Sequence, residues 1–175
     1  MAQKKDNRSF KEKYRVYFAA GITAWIIFMF IHPIAISGDA MSPTIKAGEI
    51  AIVSKENLEK KGPELFSVVN FYKDFSDQGE EDTNKVRRII GIPGDTIEIK
   101  NGLVYRNGEA LNETYATGDN GQAMGPITLG EGEIFVLGDN RGQSLDSRQV
   151  GPLLTKDLRG TCSWIVWPLS AWGKI

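Results

Sequence analysis

The stretch ISGDAMSPTIKAGE (36–49) combines a flexible glycine (Gly38), a carboxylate (Asp39), a Met-x-Pro turn (Met41 to Pro43) and, within and after that turn, the hydroxyls of Ser42 and Thr44. Acyl-transfer chemistry of the hydroxyl kind needs a nucleophile on such a turn beside a base that takes its proton. The residue at its centre, however, is Ala40, whose methyl group cannot attack anything. A second group of chemical side chains lies in VRRIIGIPGD (86–95), where two arginines precede a Pro-Gly-Asp turn. Arginine stays protonated in proteins and does not serve as a base. A third stretch, GDNRGQSLDSR (138–148), gathers carboxylates, guanidiniums and hydroxyls. The single histidine, His32, sits beside Pro33 at the end of an apolar run and reads as interfacial rather than catalytic.

Short strands must position these groups. EIAIVSK (49–55), LFSVVNFY (65–72), VRRIIGI (86–92), DTIEIKN (95–101), LVYRNGEAL (103–111) and EIFVLGD (133–139) are rich in β-branched and aromatic residues and partly alternate. Lys-Ala-Gly at 46–48, Pro-Gly-Asp at 93–95 and Asn-Gly at 101–102 and 107–108 supply the turns between them. Only KDLRG (156–160) suggests a helical turn. Lys73 to Lys85 is polar and acidic and reads as a loop, with a second loop expected over 112–126. The 19 glycines and 7 prolines among 175 residues agree with many short elements in one mainly β domain.

Before this domain, residues 16–37 contain no Asp, Glu, Lys or Arg. About 20 apolar residues span the ~30 Å hydrocarbon core of a bilayer, so the run is expected to be a transmembrane helix. Residues 1–15 hold six basic and two acidic residues, a net +4, which leaves −5 on the remainder of a chain of overall charge −1. The basic tail stays cytoplasmic by the positive-inside rule and places everything after Ser37 outside. The expected division is a tail (1–15), a span (16–37) and an extracytoplasmic β domain (38–175). An acidic bulk argues against nucleic acid as a partner. A lone cysteine, Cys162, excludes an internal disulfide. Three tryptophans in WIVWPLSAW (164–172) exceed the needs of a core and suit a membrane-facing rim.

Taken in order, the anchor, GDAMSPT (38–44), VRRIIGIPGD (86–95) and GDNRGQSLDSR (138–148) resemble the type I signal peptidases, membrane-anchored serine proteases that remove signal peptides on the outer face of the membrane. The resemblance implies a curled, barrel-like β-sheet domain hung from one helix. It also implies a serine–lysine dyad in place of a Ser-His-Asp triad, with no cofactor and no metal. The family nucleophile falls on Ala40 and the family general base on Arg87, so both halves of the dyad are missing. The supporting positions are kept: Ser144 would meet the base, here the Arg87 guanidinium, and Asp146 would pair with Arg88 or Arg148. Gly138, Asp139, Asn140, Arg141 and Ser147 match in the same supporting stretch; Met41, Pro43 and Thr44 match too, with Gly38 offering no side-chain donor, and Gly91, Pro93, Gly94 and Asp95 match as residues that would shape turns beside the cleft.

The resemblance further implies that an extended Ala-x-Ala segment binds alongside an exposed strand, which needs main-chain hydrogen bonds and pockets but no dyad. The expected function is therefore that of a catalytically inactive member at the plasma membrane, binding extended or signal-peptide-like segments. Pilin and a sortase are the partners expected of a pilus assembly factor. The competing expectation is an active signal peptidase, working through a shifted Ser42 and Lys85 pair or carrying an engineered replacement at Ala40.

Overall fold

The N-terminal apolar run and the strand-rich remainder fold as two units in a computed structural model, residues 1–32 and 33–175, which describes residues 10–30, 32–72, 85–119 and 121–175. The first unit is helix α1 (Phe10–Phe30). Its first turns carry Lys11, Glu12, Lys13 and Arg15, and its uncharged part begins at Val16. Residues 16–30 rise about 22 Å at 1.5 Å each, short of the ~30 Å of a bilayer core. Beyond it the backbone turns to strand β1 (His32–Ala35). The expected 16–37 span is thus divided between helix and strand, and no helix among the described residues is long and apolar enough to cross a membrane.

The second unit is mainly β, as expected. In chain order follow β2 (Ile50–Ser54), α2 (Lys55–Lys61), β3 (Val68–Phe71), β4 (Lys85–Gly91), β5 (Thr96–Lys100), β6 (Leu103–Arg106), β7 (Glu109–Ala110) and β8 (Met124–Thr128). Then come β9 (Glu133–Leu137), α3 (Ser147–Val150), β10 (Leu153–Leu154), β11 (Leu158–Trp167) and β12 (Gly173–Lys174). The large sheet runs β1-β2-β11-β3-β4-β9-β10, with β12 added to β11. Among the described strands it ends at β1 on one side and β10 on the other. The small sheet runs β7-β6-β5-β8 and grows directly out of β4 through the Pro93-Gly94 turn.

All six strands expected from alternation are present, and LVYRNGEAL folds as the β6–β7 hairpin. Three elements depart from expectation. KDLRG (156–160) holds only a 3-10 turn at Thr155–Asp157 before β11, the longest strand, begins at Leu158. Three register shifts, two against β2 and one against β3, break the alternation of β11 and hide it from a simple periodic reading. β8 begins at Met124, within the last three residues of the loop expected at 112–126, and KENLEKK, unassigned from sequence, is α2. The acidic segment lies outside the described residues except for Lys85, which opens β4.

Three apolar clusters hold the unit. Ile36, Met41, Ile45, Val53, Val86 and Ile165 pack in one. Ile90, Ile97, Leu129 and Phe135 join the two sheets in the second, while Phe71, Ile89, Val136 and Leu153 form the third. β4 supplies all three, because its residues from Val86 to Gly91 are buried on both faces. That places its two arginines inside the molecule.

Candidate functional site

The loop from Ile36 to Glu49 is clamped at its base. The Ile36 N–H donates to Glu49 O (2.9 Å) and the Gly48 N–H to Ile36 O (2.8 Å). Inside it, Met41 and Ile45 are 1% and 0% exposed and act as apolar pegs in the first core cluster. The Ser42 N–H donates to Asp39 O (3.0 Å) and the Ile45 N–H to Met41 O (2.9 Å), around a cis Ser42–Pro43 bond. These contacts hold Ala40, half-buried, at the head of the turn.

Alternation along β4 splits its arginines. Arg88 turns to a fully buried Asp139, donating from Nε to Oδ1 (2.9 Å) and from Nη2 to Oδ2 (2.6 Å). Its Nη1 donates to Phe66 O (2.8 Å), and its guanidinium lies 4.2 Å over the Tyr115 ring. Thr44 Oγ1 donates to the same carboxylate at 2.5 Å, tying the Ala40 turn to this pair. Arg87 points the other way. Its Nε and Nη2 donate to Leu145 O (3.1 and 2.8 Å), and its Nη1 to Val86 O (2.6 Å).

The 138–148 stretch forms the floor. Asp146, fully buried, caps α3 through the Arg148 N–H (3.2 Å), pairs with Arg148 Nε (2.8 Å) and Nη2 (2.9 Å), and accepts from Gly138 N–H (2.9 Å). The Asn140 N–H donates to Ala40 O (3.0 Å). Gly138 has no room for a side chain: a Cβ there would stand 2.5 Å from Ala40 O and closer still to Ser144 Oγ. The segment before β8 straps this floor from outside, with Thr117 N–H on Asp139 O and Arg141 N–H on Thr117 O, both 2.7 Å. Arg141 also forms a forked pair with Glu113 (2.7 and 2.6 Å). That pair holds the Arg141 pKa above its ordinary value although burial opposes it. Burial, reinforced by Glu113, pushes the Tyr115 hydroxyl well above the usual phenol value.

Between the Ala40 turn and β4 lies a small open cleft of about 70 Å³, to whose lining the 138–148 stretch contributes no described residue. Residues 36–38, Ala40 and Met41 line it from one segment and residues 85–87 from the other. The structure brings Ala40 and Arg87 to one cleft. Lys85 joins them; Ser42 is not among the lining residues. Gly38 is exposed at its edge, with nothing within 4 Å of a notional Cβ.

The expected contact between Ser144 and Arg87 is absent. Ser144 Oγ is buried and has no hydrogen-bond partner among the described residues. The longer, planar guanidinium reaches instead to the carbonyl of the next residue, Leu145, which accepts both Nε and Nη2 in its plane. Of the two pairings open to Asp146, Arg148 is the one made, because Asp139 occupies Arg88. Pro93, Gly94 and Asp95 shape the turn from β4 into the small sheet. There Asp95 accepts from Ile92 N–H (2.9 Å), Arg106 Nε (2.7 Å) and Asn107 Nδ2 (2.8 Å). Gly91, in the same corner, would drive a Cβ to 2.8 Å from Ile97 and Leu129. Sequence reasoning missed the Thr44–Asp139–Arg88–Tyr115 network and the Glu113–Arg141 fork. Glu113 and Tyr115 stand in a polar stretch with no periodicity to mark them.

Over residues 10–167 the sequence matches the family described as "Signal peptidase, peptidase S26". It is similar to "Probable signal peptidase I-1" of Synechocystis sp., 30% identical over 169 residues that cover 94% of this chain and 86% of that protein. It is likewise 30% identical over 186 residues to "Signal peptidase I S" of Bacillus subtilis, covering 95% and 94% of the two chains. "Signal peptidase IB" of Staphylococcus aureus is 32% identical over 170 residues, 86% of each. The crystal structure of a signal peptidase I from Enterococcus faecalis aligns with a TM-score of 0.47 at 28% identity, covering 58% of this chain and 97% of that one.

Proposed function

The chain belongs to the signal peptidase family, peptidase S26, and from that premise we propose that it holds extended, signal-peptide-like segments of preproteins in the Ala40 cleft without cutting them. The observation that carries this reading is the meeting of Ala40 and Arg87 in one cleft. Peptide-bond cleavage through an acyl-enzyme needs a nucleophilic atom and a base able to take its proton. A methyl group supplies no such atom, and a guanidinium stays protonated. Binding an extended chain by main-chain hydrogen bonds requires neither.

The location belongs to the same proposal: a membrane surface, with the β unit on the outer face. The +4 tail and the uncharged run from Val16 support it. So do the exposed Trp164, Trp167 and Trp172, whose amphipathic rings suit an interface. A pilin and sortase partnership is the narrower form of the proposal and rests on the two degenerate positions alone.

A second reading, signal-peptide cleavage, draws on the relatives, each named a signal peptidase I, and is the better supported by them. Lys85 lends it a candidate base in the cleft. One series of assays separates the two. Purified chain is incubated with a preprotein carrying an Ala-x-Ala boundary, beside Ala40→Ser, Arg87→Lys, the double variant and Ser42→Ala. The holding reading expects background cleavage by the chain as it stands and by each single variant, with cleavage appearing in the double. Cleavage by the unaltered chain, lost on Ser42→Ala, establishes the second reading instead.

A further inference from the structure

Phe66, just before β3, has a backbone φ of 62°. The other non-glycine residues with positive φ among the described residues are Asn101 and Asn107. Asparagine tolerates that region, whereas a bulky residue there is an outlier. Glycine would adopt the same backbone without steric cost, so strain of this kind points to a task for the side chain. Both main-chain groups of Phe66 are engaged: its N–H donates to Ile89 O (2.8 Å) and its O accepts from Arg88 Nη1 (2.8 Å). Its ring, 42% exposed, meets the Tyr115 ring at 6.5 Å between centroids and 52° between planes, within the range of favourable aromatic pairs. The Arg88 guanidinium lies over that same Tyr115 ring.

Tyr115 belongs to the strap, residues 111–119. Two residues on, Thr117 donates its N–H to Asp139 O and accepts from Arg141 N–H. Its Oγ1 donates to Ser42 O (3.3 Å). Asn140, between those two floor residues, donates its N–H to Ala40 O. Thr44 Oγ1 reaches the Asp139 carboxylate that pairs with Arg88. The bonds at residues 40, 42 and 44 of the Ala40 turn thus lead back to the strap or to Arg88, and Phe66 touches both.

We infer that Phe66 is a positioning residue: it is the catch that keeps the strap on the floor, and the strapped floor sets the Ala40 turn that lines the cleft. Its consequence for binding rests on the reading of that cleft as one that holds an extended segment.

The test uses the full chain in detergent micelles, with hydrogen exchange followed amide by amide. Fluorescence anisotropy of a labelled alanine-rich peptide with an amidated C-terminus reports on the cleft. Phe66→Gly is expected to speed exchange about tenfold at Thr117, Asn140 and Arg141 and, in the turn, at Ser42 and Ile45. Amides of β11 paired with β2 should keep their protection, and the peptide should bind several-fold more weakly. Phe66→Tyr keeps the ring and is expected to match the unaltered chain in both measurements. Should Phe66→Gly fail to fold, Tyr115→Leu removes the other ring and must loosen the same amides. Acceleration that extends equally to β11 marks a general loss of stability and overturns the inference. So do unchanged exchange at Thr117, a loosened strap beside a turn that keeps its protection, and equal peptide affinity with and without the ring. A peptide bound by none of the forms overturns the holding reading, and the exchange pattern then decides on the catch by itself.

Discussion

Arg88 and Asp139 form a charge pair from which water is excluded, the carboxylate being fully buried. Each ion would be costly there alone, and the remaining lone pairs and donors are taken by Thr44, Phe66 O and the Tyr115 face. Asp139→Asn leaves a guanidinium without its counter-ion and is expected to destabilise the β unit by about 3–5 kcal/mol, read from urea unfolding. The exposed Glu98–Lys100 pair is a control: Glu98→Gln should shift the same midpoint by less than about 1 kcal/mol. Ser144 gives the opposite case. Its hydroxyl is buried without a partner among the described residues, so Ser144→Ala removes an unsatisfied polar atom and is expected to change stability by under about 1 kcal/mol.

At the scale of elements, the corners matter more than the strands. The β4–β5 turn is closed by Asp95, where burial raises the carboxyl pKa but hydrogen bonds from Arg106, Ile92 N–H and Asn107 outweigh it, so the net shift is downward. A folded-state pKa below the unfolded one stabilises at pH values above the unfolded pKa of about 4 and is lost as pH falls through the lower folded value. Melting temperature measured against pH should therefore drop on the acid side for the native chain. Asp95→Asn should start lower and lose less over the same window. The 138–148 floor depends likewise on one glycine. Gly138→Ala is expected to push the floor away from Ala40 O at a cost of about 1–3 kcal/mol, measured by the same unfolding curves. Loss of peptide binding should accompany it.

Across the whole molecule, β11 is the strand on which the large sheet is assembled, pairing β2, β3 and β12. Cys162 lies within it, and burial pushes its thiol pKa up to about 12. The folded protein is expected to resist iodoacetamide at pH 8 and to react once urea exposes the thiolate-forming side chain. Reaction in the native state at the rate of a free thiol would mean that β11 opens far more readily than its pairing implies. The β unit, residues 33–175, carries its own clusters of buried apolar residues and should unfold cooperatively without residues 1–32, as followed by circular dichroism.

The six alternating strands, the turns between them and the chemical character of positions 40 and 87, a methyl and a guanidinium, were readable in the residues alone. Local periodicity and the chemistry of a methyl or a guanidinium do not depend on what the chain packs against. β11 and β8 were not readable, since bulges break the period of the first and a polar setting masks the second. Ending α1 at Phe30 was equally hidden, because an uninterrupted apolar run looks the same whether it continues as helix or turns into an edge strand. Partner choice belonged wholly to tertiary structure. Asp146 and Asp139 each stood within reach of several arginines in the sequence, and only the alternation of β4 against β9 and the buried floor decided which guanidinium met which carboxylate. The same packing turned Arg87 toward Leu145 O rather than Ser144, for a fork of fixed shape binds the acceptor that lies in its plane, and no spacing along a chain records where that plane will point.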